Sequence, residues 1–273
     1  MNPSETEAPF DFFKRPERLF RYFSPEASDV FSTQKLWLSA ANSFNDFFDV
    51  VPRFDHLYTT KIKDTRDKFI SNLPPSIDLK QYEKQMDEMA DQYYEEKMET
   101  EPQRIQNLFS EKYGIICFCS NLTSPAMWGH YTKNKEGENH SGFVVEFDPN
   151  HSIFPNSEFA KVNYSLSRPI LNISPHAEIA LTKSRDWDYE SEHRLVKPLS
   201  EATSGIRRDG KKRHFIDLPF EAVRAVYFGL RVNPFCRDEI LKDLKSPEWK
   251  DVKKFVMRRH HSEYALEPKP LEC

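Results

Sequence analysis

Lys183 to Val196 reads KSRDWDYESEHRLV, and the layout of the chain turns on this stretch. Trp187, Tyr189 and Ser191 alternate with Asp188, Glu190 and Glu192, a period of two that predicts an extended segment with aromatics on one face and carboxylates on the other. Glu190 and Glu192 then point the same way, about 7 Å apart by strand geometry. Such a pair splits its acidities: one carboxylate stays charged and steadies a developing cation, and the other serves as acid or base. A purely structural reading pairs both acids with Lys183, Arg185 and Arg194. Trp187 and Tyr189 favour a site, because they offer a flat wall for a base, a nicotinamide or a sugar.

Downstream, EHRLV continues as a strand. RRDGKKRH (Arg207 to His214) is a basic hairpin tip turning at Asp209 and Gly210, and FIDLP returns. AVRAVYFGL is a buried strand, Asn233 and Pro234 cap and begin a helix over Phe235 to Leu244, and KKFVMRRH is the final strand. Upstream, helix-like Ala177 to Leu181 follows the strand AKVNYS. GFVVEFD and IICFCS read as strands, with SPAMWGHY between them as a short helix entered through Ser124 and Pro125. LFRYFS and KLWLS open the sheet, with Leu36 and Leu38 on one face, and AANSFNDFFD is a loop pinned by Phe44, Phe47 and Phe48.

Helical spacing is expected over 57–73. A second helix, capped by Ser76 or Asp78, carries a stripe of Leu79, Tyr82, Met86, Met89, Tyr93 and Lys97 opposite a solvated acidic face, and ends or kinks at Pro102. The class is α+β: a single domain with a mainly antiparallel, aromatic-rich sheet and flanking helices. Residues 1–17 are a flexible lead-in, order begins at Arg18, and 18–273 form the domain with a helical insertion at about 57–112.

The composition narrows the function classes. Seven Gly beside 19 Pro, and no GxGxxG or GxxxxGK[ST] string, disfavour a classical nucleotide fold. A net charge of -4 leaves any polyanion to a local patch. Four cysteines without a CxxC pair, and no leader, indicate a reducing cytoplasm; no apolar run approaches the roughly 20 residues of a membrane helix, so no membrane partner is expected. Burial leans on 22 Phe and 11 Tyr.

Three further constellations carry chemistry. Arg21, with Tyr22, sits on the first strand, and its fork suits a phosphate or carboxylate; Ser39, Ser43, Asn45 and Asp46 supply donors and acceptors nearby. Trp128, His130 and Tyr131 set a candidate proton carrier beside aromatic rings. Asp46 and Asp49 with the two glutamates are a weaker magnesium reading for a nuclease, aided by the basic hairpin; Cys117 and Cys119 lack zinc partners, and no metal is expected.

LFRYFS with KLWLSAANSFNDFFD, IICFCSNLTSPAMWGHY with GFVVEFD, KSRDWDYESEHRLV, and the AVYFGL to VMRRH tail resemble a widespread, mostly bacterial domain-of-unknown-function family. Its marks are a Phe-Asn-Asp-Pro-Phe-Asp loop, a Met-Trp-x-His-Tyr helix and an Asp-Trp-x-Tyr-Glu-x-Glu-Trp-Arg segment. The likeness runs from about Leu19 to the C-terminus, with Phe47 in place of the usual proline and His193 in place of the usual tryptophan, which sets a titratable group beside the paired glutamates. More distantly, Arg21, Ser39 and Glu190-Ser191-Glu192 follow the order seen in ADP-ribosyltransferases of the arginine-serine-glutamate kind.

That second resemblance implies NAD as substrate, held by Arg21 and Ser39, with Trp187 or Trp128 stacking a ring. Glu192 is then the catalytic carboxylate at an oxocarbenium-like centre, and Glu190 orients a protein or nucleic-acid acceptor. The alternative function is a non-enzymatic sensor in stress or phage defence, whose pocket recognises a nucleotide-like small molecule or a protein tail.

Overall fold

The computed structural model describes residues 14–53, 67–68, 79–170 and 176–271. Its class is α+β with a mainly antiparallel sheet. The chain divides into two compact units, the first comprising Met1–Ala40, Tyr113–Asn163 and Asp186–Cys273, the second Ala41–Lys112 and Tyr164–Arg185. No described helix is long and apolar enough to cross a membrane.

In the first unit, eight strands form one sheet. They are β1 (Leu19–Phe23), β3 (Tyr113–Cys119), β4 (Phe143–Phe147), β5 (Phe159–Lys161), β8 (Glu192–Pro198), β11 (Val223–Phe228), β12 (Lys253–Arg259) and β13 (Leu266–Pro270). The order across the sheet is β13-β12-β11-β4-β1-β3-β8-β5. A smaller sheet combines β2 (Lys35–Trp37), β9 (Thr203–Ile206) and β10 (Lys212–Asp217), with β10 central.

Strand alternation gives the large sheet two faces with separate cores. Leu19, Phe23, Ile116, Phe118, Val145 and Phe147 pack on one face with Cys236 and Ile240 of helix α5 (Pro234–Asp243). Phe20, Cys119, Val144 and Tyr227 pack on the other with Met127 and Trp128 of helix α3 (Pro125–Tyr131). These are the α5 face and the α3 face below. Ser124 caps α3 by accepting the Met127 N–H, and Asn233 caps α5 by accepting those of Phe235 and Cys236, so both helices start where Ser-Pro and Asn-Pro place them. Helix α5 also makes the crossover that lets β12 run parallel to β11.

Several expectations are corrected. KKFVMRRH is not the last strand: β13 follows and pairs antiparallel to β12. Its Pro268 and Pro270 hid it, yet proline is tolerated on an edge strand, where a missing N–H costs no ladder bond. The lead-in is tied down before Arg18, because the Arg15 guanidinium donates to the carbonyls of Pro149 and Phe154 and to Asn156 Oδ1. Most consequential, Arg185–Glu190 is a 3-10 helix rather than extended. Ser191, with φ of +47°, then turns the chain into β8. A 3-10 helix has three residues per turn, so the period-two alternation of aromatics and acids here does not map onto two faces.

In the second unit, helix α2 (Leu79–Lys112) has 34 residues and passes through Pro102 without ending. Met89, expected on its packed stripe, is exposed, as are the acidic residues Glu88, Asp91, Glu95, Glu96 and Glu99. Two of the aromatics expected to pin the 41–50 loop do not: Phe47 is 90% and Phe48 63% exposed, while Phe44 is half-buried. Polar bonds also hold it, with Gln106 Nε2 donating to Asp49 O at 2.7 Å, Asn42 Nδ2 to Asn107 Oδ1 at 3.0 Å, and Asp46 Oδ1 accepting the Phe48 N–H at 2.9 Å. The helix expected over 57–73 lies outside the described residues apart from Asp67 and Lys68, which are helical, and the caps Ser76 and Asp78 lie outside them altogether.

Candidate functional site

The two glutamates that anchor the sequence argument are both deeply buried, Glu190 at 2% and Glu192 at 4% exposure. Glu192 pairs across the ladder with Cys119, which belongs to the α3-face core. Its carboxylate is gripped by Arg194, Nε to Oε1 at 2.8 Å and Nη2 to Oε2 at 3.0 Å, in a bidentate pair with both partners out of solvent. Glu190 accepts the Tyr131 hydroxyl proton from α3. Burial pushes the Cys119 thiol up to about 12, and the charges of Glu190 and Glu192 each add to the rise. At the rim, His130, Trp187 and Tyr189 form a ring cluster with centroids 6.1 to 6.5 Å apart. The structure therefore brings together Glu190, Glu192, Tyr131, His130 and Trp187.

Trp128 and Tyr22 lie on this face as core members. Trp128 is fully buried, its Nε1 donates to Leu122 O at 2.7 Å, and the Tyr22 ring meets it edge-on at 5.3 Å. Tyr22 in turn donates to Asn121 O at 2.9 Å. Neither ring is placed to stack a ligand.

Arg21 is on the opposite face. Between Phe20 and Tyr22 in β1, its side chain turns to the α5 face and lies over the rings of Phe23 and Phe118, at 5.2 and 5.9 Å. Sheet backbone thus separates Arg21 from Glu192. Nη2 donates to Trp37 O at 3.3 Å, whereas Nη1 is buried and makes no hydrogen bond. Burial brings the Arg21 pKa down to about 10, with nearby Arg207 adding to the fall and Cys117 opposing it.

Arg21 opens into a cavity of about 60 Å³ whose lining includes Lys35, Trp37, Ser39, Arg207 and Arg213, with Asp29 as its one carboxylate. Lys35 Nζ sits 4.3 Å above the Phe215 ring, and Arg213 reaches Asp209 at 3.2 Å. Arg207 has no ion-pair partner among the described residues. No family model, curated protein or solved structure matches the chain. The functional reading accordingly stands on this geometry.

Ser39 shares the Arg21 cavity and bonds through its backbone to Ile115, N to O at 2.8 Å. Asn45 and Asp46 belong to the second unit, Asn45 exposed and Asp46 buried with Oδ2 unpartnered. Lys183, expected as a partner of the glutamates, pairs with Asp49 at 3.7 Å within that unit. Among the described residues, no group of three His, Cys, Asp or Glu is placed to hold a metal ion. His193 faces away from Glu192: it stacks on Phe159 at 5.8 Å, and burial pulls its pKa to about 4, so it is neutral and structural. Sequence reasoning missed Lys35 and Trp37, although period two in KLWLS sets both on the Ser39 face opposite Leu36 and Leu38. It read Arg207 and Arg213 as a solvated tip because the turn lies so far along the chain from Arg21.

Proposed function

We propose that this chain is a non-enzymatic binding module for a phosphate-bearing small molecule, taken up in the Arg21 cavity. One observation carries the reading: half-buried Arg21, its Nη1 out of solvent and unsatisfied, joins Lys35, Arg207 and Arg213 around a cavity that holds one carboxylate. Gathering like charges at a desolvated arginine costs stability unless an anion completes the group. A cavity of about 60 Å³ has room for a phosphoryl group, given that one water fills roughly 10–15 Å³ on a comparable measure. Arg207 and Lys35 supply charge-assisted donors, and the Arg21 fork gives the geometry that phosphate oxygens match.

The NAD-cleaving reading has less support. It needs Arg21, Ser39 and Glu192 around one ligand, whereas the arginine and the carboxylate lie on opposite faces of the sheet and Glu192 is held by Arg194. Calorimetric titration of the full chain with inorganic phosphate tests the proposal. Saturable binding lost in Arg21→Met is expected; heat that is unsaturable, or unchanged in the variant, contradicts it.

A further inference from the structure

Arg207 lines a second cavity as well. This one is about 510 Å³ and more open, bounded by Ser24, Glu26, Lys133, Asn134, Lys135, Arg207, Arg208 and Asp209. Its volume falls in the range that holds a nucleotide-sized ligand. Its lining residues are all polar or charged, their aliphatic stems forming part of the wall, and Lys133 and Arg207 make no ion pair among the described residues. Arg208 is already committed to Glu239 at 2.8 Å, and the Lys135 backbone N–H donates to Glu26 at 3.0 Å. The open cationic capacity of the larger cavity is therefore carried by the Lys133 and Lys135 ammonium groups and by the arginine it shares with the smaller one.

Resting on the phosphate-binding reading, we infer that the ligand is a nucleoside polyphosphate: the terminal phosphoryl enters the Arg21 cavity, the next bridges Arg207, and the nucleoside occupies the larger cavity beside Lys133 and Lys135. The small cavity admits a phosphoryl group but no base, and the large one is lined by Ser24 and Glu26, whose oxygens suit sugar hydroxyls and base edges. A single phosphate would leave Lys133 unused. A chain of phosphoryl groups connects both sites through one guanidinium, whose donors point to more than one oxygen.

The test is a calorimetric comparison of inorganic phosphate, AMP, ATP and a ten-residue oligothymidylate on the wild-type chain, on Arg21→Met and on the double variant Lys133→Gln, Lys135→Gln. ATP is expected to bind at least tenfold more tightly than phosphate or AMP. The double variant should bring ATP down to the affinity of phosphate, and Arg21→Met should weaken both. Circular dichroism of each variant establishes that it is folded. Equal affinity for ATP and phosphate, an ATP affinity untouched by the double variant, or tighter binding of the oligonucleotide than of ATP overturns the inference. Failure of phosphate and ATP alike in the wild type sinks the underlying binding reading instead.

Discussion

The two faces of the large sheet treat buried charge in opposite ways. On the α3 face, Glu192 is closed by a bidentate bond from Arg194, and Glu190 accepts from Tyr131. On the α5 face, Arg21 keeps one guanidinium nitrogen without a partner and shares its cavity with Lys35, Arg207 and Arg213 against the single carboxylate of Asp29. Buried ions matched within the fold are part of its architecture, whereas an unmatched one marks where something from outside completes the structure. Density of charged residues in sequence pointed to the α3 face, where Glu192 and Glu190 already have partners within the fold.

The comparison breaks most readily at Arg194. Replacing it by Met leaves Glu192 buried without its partner, and a loss of about 3–5 kcal/mol is expected, a fall in Tm on the order of 10 °C by differential scanning calorimetry. A loss below about 1 kcal/mol would mean that the pair is not what holds this face.

His193 provides the next largest effect. Its folded pKa of about 4 lies below the unfolded value near 6.5, so between those values the unfolded chain takes up the proton more readily. The contribution of His193 to stability is then constant above about pH 6.5 and falls as pH drops toward 4, a loss of up to about 3 kcal/mol. His193→Phe, which retains the stack on Phe159, should flatten that part of the profile in urea titrations run from pH 7 to pH 4. An unchanged slope would place the acid sensitivity elsewhere.

Tyr131→Phe removes the hydroxyl that donates to Glu190 and should cost about 2 kcal/mol, the range for a buried bond to a charged group. Phosphate affinity should be unaffected, because the α5 face is untouched. A variant that lost phosphate binding without unfolding would join the two faces into one site.

The sequence made much of the fold legible and less of the site. Short strands with period two, and the Ser-Pro and Asn-Pro helix starts, depend on local chemistry and were readable at β1, β4, β11, α3 and α5. Arg185–Glu190 was misread because alternation of aromatics and acids fits a strand and a 3-10 turn equally until Ser191 adopts its left-handed backbone. The basic cavity was hidden for a different reason. Arg21, Lys35 and Arg207 meet only because β2 pairs with β10 and the β9–β10 turn folds back over β1, a long-range pairing that no local pattern announces.

Thermal denaturation of the wild type and Arg21→Met, each in chloride and with added phosphate, tests the central claim most directly. In chloride, Arg21→Met should match or exceed the wild type by about 1 kcal/mol, since it removes an uncompensated buried charge. Phosphate at 100 times the dissociation constant should stabilise the wild type by about 2.7 kcal/mol and the variant only by the small general effect of the salt. Equal phosphate stabilisation of both chains, or an Arg21→Met variant several kcal/mol less stable in chloride, would make Arg21 a structural residue and contradict the account.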